Sequence, residues 1–255
     1  MLPSGTEPSP SRDGLRDQLH VWIARPENFR DETSLARYRS WLSDEERSRA
    51  DRYLGADDRH LFLVAHALLR STLSRYGDRR PQEWRFTTGQ HGRPGIGAGQ
   101  AAAMRLGFSL SHVHGMVACV VGDGIECGVD VERLGRVTDP RALARRYFHP
   151  SECDELDRSS DRDVDARFLE YWTLKEAYVK ARGLGLELPL DGFRFTLGRG
   201  APIAARFEAP IRDRAETWQF DQWRPGPEHV LSVAARRRDG RFRDVIQREV
   251  RAAAP

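Results

Sequence analysis

Residues 163–190 carry the clearest hydrophobic pattern in the chain, and it predicts a helix. Apolar side chains recur there at the helical period of about 100° per residue. The members of this stripe are Phe168, Trp172 and Val179. Asp163 is the expected N-cap, and Gly183 opens a segment of glycine and proline that is typical of a helix end. We therefore predict a helix that buries one side, with Trp172 in the core and a glycine-containing turn behind it.

Three charged side chains flank this apolar stripe. Lys175 lies on one shoulder, and Glu176 and Lys180 lie on the other. In one interpretation, the helix presents the acid Glu176 and the amine Lys180 to a cleft. The other is a solvated surface pair, because Glu176 and Lys180 stand at i and i+4 in the favourable order, which stabilises a helix by about 0.2 to 0.5 kcal/mol. The helical pattern alone leaves both interpretations open.

Residues 125–132 alternate apolar and other side chains, which predicts a half-buried strand. Asp130 and Glu132 then project from the same face. Their alpha carbons would be about 6.5 to 7 Å apart, so that their carboxylates can share one hard cation. Gly128 is next on that face and would leave room for a ligand. The alternative is the polar side of an ordinary strand.

Weaker patterns predict the other elements. Ser43 and Glu46 form a capping box that begins a helix over residues 43–54, and a longer helix follows over residues 57–76. A short basic helix is expected over residues 140–147. Strands are expected over residues 19–24, in two runs within 107–121, and over 193–197, 205–207, 218–220 and 229–235, the last four completing a second sheet. The last twenty residues are expected to be frayed or a peripheral helix.

Composition narrows the function classes. The 255 residues fit one large domain or two small ones, and a net charge of +3 with a pI near 8.9 is a weak hint of anionic partners. No zinc spacing, RNA-binding aromatic motif or helix-turn-helix pattern supports nucleic-acid binding. The three cysteines lack metal-type spacing and are expected to be reduced. Residues 1–14 predict a flexible leader, and no apolar run reaches the roughly 18 to 20 residues of a membrane helix, so we expect a soluble, cytoplasmic protein.

Two motifs in the predicted strand and helix resemble the signature of the Sfp-type 4′-phosphopantetheinyl transferases. The first is Gly128-Val129-Asp130-Val131-Glu132, and the second is W-x-x-K-E-A-x-x-K, filled by Trp172, Lys175, Glu176, Ala177 and Lys180. Their order, spacing and residue types agree with the family, and the likeness extends over about residues 41–197. The resemblance implies an α+β fold of two similar α/β halves, a pseudo-dimer within one chain, with the active site at their junction. We expect these halves at residues 15–122 and 123–240, the second carrying the metal and catalytic residues, followed by a tail over 241–255.

The resemblance also implies an activity. This is the Mg²⁺-dependent transfer of 4′-phosphopantetheine from coenzyme A to a serine of an apo carrier protein, with release of adenosine 3′,5′-bisphosphate. Pyrophosphate cleavage requires neutralisation of charge by a divalent cation and cationic side chains. Asp130, Glu132 and Glu176 would hold Mg²⁺, or Mn²⁺ in its place. Glu176 is the candidate base for the serine proton, and Lys180 is the cationic catalytic residue.

By the same resemblance, a set of basic and polar residues is expected to bind coenzyme A. Its members are Arg49, Arg93, Ser111, His112, Lys175 and Lys180. Arg49 falls in a region that holds the 3′-phosphate in the family, whereas Glu46 stands where a relative carries lysine. Arg93 takes the lysine position of a G-K-P turn, and Ser111 with His112 matches an F-N-x-S-H motif. Lys175 either contacts phosphate or orients the helix.

The expected partners are coenzyme A and apo acyl carrier or peptidyl carrier domains of polyketide or nonribosomal peptide biosynthesis. A monomer is expected, because one chain can supply both sides of a cleft. Two rival hypotheses stay open. One is another Mg²⁺-dependent phosphoryl or nucleotidyl transferase that uses the same three acids, and the other is a catalytically silent module that binds carrier proteins.

Overall fold

The computed structural model of the protein describes residues 12–89, 93–101, 105–198, 200–237 and 240–251. In chain order its α-helices are α1 (Glu32–Trp41), α2 (Asp44–Asp51), α3 (Ala56–Ser74), α4 (Ala98–Ala101), α5 (Pro140–Tyr147), α6 (Pro150–Arg158) and α7 (Val164–Arg182). Its strands are β1 (Gln18–Ala24), β2 (Phe86–Thr88), β3 (Pro94–Ile96), β4 (Leu106–Val113), β5 (Met116–Asp123), β6 (Cys127–Arg133), β7 (Phe193–Thr196), β8 (Ala204–Phe207), β9 (Trp218–Trp223), β10 (His229–Arg236) and β11 (Asp244–Val250). The prediction of an α+β protein is confirmed.

The described residues divide between two compact units. The first contains the described parts of Met1–Gly89, Pro94–Ile125 and Arg243–Pro255, and the second contains those of Gln90–Arg93 and Glu126–Phe242. Each unit has a sheet with a helix of 19 residues packed against it, α3 in the first and α7 in the second. Each unit therefore contains its own sheet and its own long helix.

The sheet of the first unit has the strand order β11-β1-β5-β4. β4 and β5 form an antiparallel hairpin, as their pattern predicts, and Gly115 in its turn has a φ of 85° that glycine adopts without strain. β1 pairs antiparallel with β5 on one side. Leu69 and Leu73 of α3 pack with Trp84 in the core of this unit.

The C-terminal residues form a strand, which corrects the expectation of a frayed or helical tail. β11 pairs in parallel with β1 over seven residues, from Asp244 opposite Gln18 to Val250 opposite Ala24. Val250 is buried in the core of the first unit. The strand is stable there because β1 satisfies its backbone hydrogen-bonding groups, and that partner lies more than 200 residues away in the sequence.

Helix ends follow the local signals closely. Ser43 and Glu46 make both hydrogen bonds of the predicted capping box at the start of α2. Gly183 ends α7 with a φ of 67°, the left-handed conformation of a glycine C-cap. Asp163 occupies the N-cap position of α7, but its side chain accepts a hydrogen bond from Ser160 instead of from the helix backbone.

The second unit contains two sheets, so the strands predicted after residue 190 do not form a single one. β6, β10 and β9 pair antiparallel in that order, while β7 and β8 form a separate two-stranded sheet. α7 packs on β6 and β10 and also contacts α5 and α6. Its buried residues therefore extend well beyond the predicted stripe and include Tyr171, Leu174, Lys175, Ala177 and Tyr178.

Two further expectations concern the ends and turns of the chain. Most of the predicted flexible leader, residues 1–14, lies outside the described residues, as do residues 90–92, which include Gly92 of the turn that resembles the G-K-P motif. From Arg12 the chain forms a short 3-10 helix, Arg12–Arg16. None of the helices in the described ranges combines the length and the apolar character that crossing a membrane requires.

Candidate functional site

α7 lies directly on β6, and Gly128 makes this close packing possible. A Cβ atom at Gly128 would lie 2.0 Å from the carbonyl oxygen of Ala177 and 2.5 Å from the nitrogen of Ala181. Any side chain there would overlap the backbone of α7. The expectation that Gly128 leaves room for a ligand is therefore wrong, because the helix occupies that room.

Asp130 follows Gly128 on the same face of β6, so its side chain also meets α7. Asp130 is 4% exposed, and its Oδ1 accepts a 2.6 Å hydrogen bond from Nζ of Lys180. The Lys180 side chain remains 30% exposed. A charge-assisted bond of this length is stronger than one between neutral groups. Lys180 thus pairs across the helix–strand contact while part of its side chain stays exposed to solvent.

Glu132 is the next acid on this face, and Arg136 binds it. Both Glu132 carboxylate oxygens lie 2.5 Å from Nη1 of Arg136, whose side chain is 61% exposed. Arg136 stands in the turn after β6, which Asp165 of α7 anchors by accepting the N–H of Gly135 at 2.7 Å. Burial and the charge of Asp130 raise the pKa of Glu132, whereas the charges of Arg136 and Lys180 oppose that rise.

Glu176 of α7 experiences the same group of charges. Burial, reinforced by the negative charges of Asp130 and Glu132 and opposed by Lys180, raises its pKa to about 7. A carboxyl group with this pKa is divided between its protonated and ionised forms at neutral pH. Such a group can accept a proton from a reacting hydroxyl, which is the property that general-base catalysis requires.

The donor chemistry of this acidic group fits a hard divalent cation. Asp130, Glu132 and Glu176 offer only carboxylate oxygens, which Mg²⁺ prefers as ligands. A cation would also relieve the repulsion that raises the pKa of Glu132 and of Glu176. Among the residues that the structure describes, no three acidic, histidine or cysteine side chains are grouped closely enough to form a ready metal site. Joint binding by all three acids therefore requires side-chain rearrangement, including release of Glu132 from Arg136.

Lys175 points into the core of the second unit, where its ammonium group has three partners. Nζ lies 2.8 Å from Oε2 of Glu152 and donates to the carbonyl oxygens of Leu190 at 2.8 Å and Phe193 at 2.7 Å. Lys175 is 0% exposed and Glu152 is 1% exposed. Glu152 also accepts the backbone N–H of Phe195 at 2.8 Å. The pair therefore connects α7, α6 and β7.

This environment excludes a coenzyme contact through Lys175. An ammonium group has three N–H donors, and each has a protein partner here. Burial lowers the pKa of Lys175 and raises that of Glu152, and each shift is opposed by the charge of the partner. The predicted phosphate contact of Lys175 is therefore replaced by its alternative, orientation of the helix. Since Lys175 precedes Glu176, its anchoring fixes the rotation of α7 beside the acidic group.

Arg93 belongs to the second unit, although the residues that precede and follow its short segment belong to the first. Its Nη1 donates a 2.7 Å hydrogen bond to the carbonyl oxygen of Ala181, in the last turn of α7. The structure thus brings Arg93 to the helix that carries Glu176 and Lys180. The other predicted site residues, Arg49, Ser111 and His112, lie in the first unit.

Those three residues of the first unit differ in exposure. Arg49 is exposed in the last turn of α2, with its guanidinium 5.6 Å from the ring centroid of Phe62. Ser111 and His112 are consecutive residues of β4, so that their side chains project from opposite faces. Ser111 is buried and His112 is exposed. Only Arg49 and His112 of these three therefore present side chains to solvent.

Glu46, which stands where a relative carries lysine, has a structural role. It lies 2.5 Å from Nη2 of the buried Arg70 and 3.0 Å from Nδ1 of His66, both in α3, and it completes the capping box of α2. Burial raises the pKa of Glu46, but the hydrogen bonds with His66 and Ser43 and the charge of Arg70 outweigh it and lower the pKa to about 2. The acid at this position therefore holds α2 against α3.

The sequence assigned no role to two residues that shape this site, Glu152 and Arg136. Glu152 stands in an R-Y-F-x-x-x-E segment that resembles the family pattern R-F-F-x-x-x-E, but this likeness does not reveal its pairing with Lys175. Arg136 follows Glu132 by four residues, but in a turn rather than a helix, so no periodic pattern marks the pair. Contacts between distant segments determine both positions.

Comparison with known proteins agrees with this arrangement. The family model of the 4′-phosphopantetheinyl transferase superfamily matches residues 126–234, the part of the chain that carries β6 and α7. The chain is 34% identical to the 4′-phosphopantetheinyl transferase HetI of Nostoc sp. over 68% of its own length and 71% of that protein. It is 32% identical to Sfp of Bacillus subtilis over 66% of this chain and 72% of that one, and 27% identical to ffp of Bacillus subtilis over 80% and 86%. The chain therefore belongs to the 4′-phosphopantetheinyl transferase superfamily, with the resemblance to Sfp-type members confirmed.

Proposed function

We propose that this protein transfers the 4′-phosphopantetheine group of coenzyme A to a serine hydroxyl of an apo acyl or peptidyl carrier protein. A bond forms between the serine oxygen and the phosphorus that bears the pantetheine arm. The phosphoanhydride bond of coenzyme A breaks, and adenosine 3′,5′-bisphosphate leaves. The serine proton passes to a base on the enzyme. Membership of the transferase family supports this reaction class.

The arrangement of β6 against α7 is the observation that carries the proposal. It joins Asp130 and Glu132 of the strand to Glu176 and Lys180 of the helix, through a contact that only a glycine at position 128 permits. A structural strand–helix contact would need neither two acids on one strand face nor a third acid with a strongly raised pKa. A group that binds and cleaves a charged pyrophosphate needs such residues.

The need to neutralise charge on the pyrophosphate assigns the roles of four residues. Asp130, Glu132 and Glu176 would hold Mg²⁺, whose donor preferences they fit. When bound, the cation would neutralise charge on the pyrophosphate and the leaving group. Lys180 supplies a positive charge at the same place, and because its side chain is partly exposed, its ammonium can contact a phosphate oxygen when its pair with Asp130 opens. Lys180 is thus both a coenzyme-binding and a catalytic residue in this proposal.

Glu176 is the proposed base for the serine proton. In the protein without a bound cation its pKa is about 7, so it is ionised in a large fraction of molecules at neutral pH and retains affinity for a proton. General-base assistance of this kind contributes about 10² to 10⁴ in rate. The protein is expected to act as a monomer in the cytoplasm, on carrier domains of polyketide or nonribosomal peptide biosynthesis.

A mass measurement tests the function directly. The protein is incubated with coenzyme A, Mg²⁺ and an apo carrier domain, and the carrier is weighed. We expect a gain of one phosphopantetheine mass, lost when the carrier serine is replaced by alanine and reduced by orders of magnitude in an Asp130→Ala enzyme. Nucleotide release without the mass gain would favour another phosphoryl or nucleotidyl transferase. Binding of the carrier without any chemical change would favour a silent binding module.

A further inference from the structure

Arg93 places its guanidinium group at the junction of β6 and the end of α7. Nη1 donates to the carbonyl oxygen of Ala181 at 2.7 Å, and Nη2 lies 3.5 Å from the carbonyl oxygen of Cys127, the first residue of β6. The last four carbonyl groups of a helix have no partner within it. Arg93 therefore satisfies one of these groups and places a positive charge at the negative end of the helix dipole.

Gly183 provides the space for this arginine. Its φ of 67° ends α7, and a Cβ atom there would lie 2.9 Å from Cδ of Arg93. Glycine adopts this left-handed backbone without strain and leaves room for the Arg93 side chain.

The two carbonyl groups belong to the segments that carry the Lys180–Asp130 pair. Ala181 follows Lys180 directly, and Cys127 lies three residues before Asp130 on β6. A rigid, planar guanidinium can donate to both carbonyl groups at fixed geometry, whereas a lysine ammonium is a point charge on a flexible stem. We infer that Arg93 is a positioning residue that sets the spacing of β6 and α7 at the site, an inference that rests on the proposed transferase function. Arg93 then acts through Lys180 and Asp130 rather than as the expected phosphate contact.

Steady-state kinetics distinguish a positioning role of Arg93 from a direct contact with coenzyme A. Arg93→Met keeps the stem and removes the donors, and Arg93→Lys restores one charge. For a positioning residue, kcat falls about 10-fold to 10²-fold in Arg93→Met, because a misplacement of about 1 Å costs up to that much. Arg93→Lys should recover part of the loss. The KM for coenzyme A and the Kd of adenosine 3′,5′-bisphosphate should stay within about twofold of wild type in both variants. A tenfold rise in that Kd with kcat retained would make Arg93 a coenzyme contact and overturn the inference.

Arg85→Lys is the matched control. Arg85 also donates from one guanidinium nitrogen to two carbonyl oxygens, those of Gln82 at 2.9 Å and Trp84 at 3.3 Å, and it has no assigned part in the site. Its kcat should equal that of wild type. If Arg85→Lys and Arg93→Lys lost kcat equally, the loss would reflect a general effect on stability and not the position of Arg93, and the inference would be overturned.

Hydrogen exchange in the protein without substrate tests, independently of activity, whether Arg93 holds β6 and α7 together. Arg93→Met should speed exchange in the last turn of α7 and in β6 while leaving α3 unchanged. Unchanged exchange at those two segments would overturn the inference even if wild type is an active transferase. If wild type transfers no phosphopantetheine, the proposed function fails, and the exchange result still decides whether Arg93 holds β6 and α7 together.

Discussion

Replacement of Gly128 by alanine should displace α7 from β6 and slow the reaction about 10²-fold without unfolding the protein. The added Cβ would lie 2.0 Å from the carbonyl oxygen of Ala177, whereas ordinary contacts of a Cβ atom begin at 3.4 Å. The difference, 3.4 minus 2.0, requires a displacement of about 1.4 Å. The obstacle is helix backbone and not a flexible side chain, so the whole segment must move.

This displacement has two consequences of different size. Insertion of a methyl group into a packed contact costs about 1 to 3 kcal/mol, which corresponds to a fall in Tm of roughly 2 to 12 °C for a chain of this size. The 2.6 Å bond between Lys180 and Asp130 would lengthen beyond hydrogen-bonding distance. Because a misplacement of about 1 Å can cost about 10² in rate, kcat should fall by about that factor.

The assay combines thermal unfolding with kcat from the carrier-mass measurement. Gly95→Ala in β3 is the matched control, because a Cβ atom there would meet its nearest neighbour, Oγ1 of Thr87, at an ordinary 3.5 Å. That variant should keep the Tm and kcat of wild type. Wild-type kcat in Gly128→Ala would refute the reasoning, since it would mean that the spacing of β6 and α7 does not determine the geometry of the site.

Three further predictions follow from buried or paired charges. Lys175→Met leaves the Glu152 carboxylate buried without its cation and should lower the free energy of unfolding by about 3 to 5 kcal/mol. In urea unfolding, the double variant Lys175→Met with Glu152→Gln should lose less free energy of unfolding than the sum of the two single losses. Additive losses would contradict the buried pair. The pKa of Glu176 is raised to about 7 from an ordinary value of 4.5, so the folded state binds the proton more tightly than the unfolded state. The stability contribution of Glu176 is therefore present below pH 4.5 and lost as pH rises through 7, by about 3 kcal/mol in total. Without divalent cations, wild type should lose that stability between pH 5 and 8 and Glu176→Gln should not; parallel losses in both proteins would exclude the raised pKa. Arg136→Gln removes a cation that competes with Mg²⁺ or Mn²⁺ for Glu132. In calorimetry, the metal ion should therefore bind up to about fivefold more tightly, the amount expected from an exposed ion pair of about 1 kcal/mol. Weaker binding would mean that Arg136 helps to hold the cation site.

Sequence alone determined the elements that local rules govern. The alternation of residues 125–132 predicts β6, and the capping box of Ser43 with Glu46 predicts the start of α2. Gly183 predicts the end of α7. Each of these signals spans at most eight consecutive residues, so it is set by local sequence and does not depend on a tertiary contact. The two motifs that contain Asp130 and Glu176 also identify the family, because their residue types and spacing are specific as a pair.

Tertiary structure decided what each of these residues contacts. Lys175 lies on the shoulder of a predicted stripe, yet it is fully buried because α6 supplies Glu152 and because Leu190 and Phe193, before and at the start of β7, supply carbonyl oxygens. Gly128 faces a helix instead of a ligand, and residues 244–250 form a strand because β1 offers them a free edge. Burial, pairing and pKa depend on neighbours that are distant in sequence, and no periodicity along the chain records those neighbours.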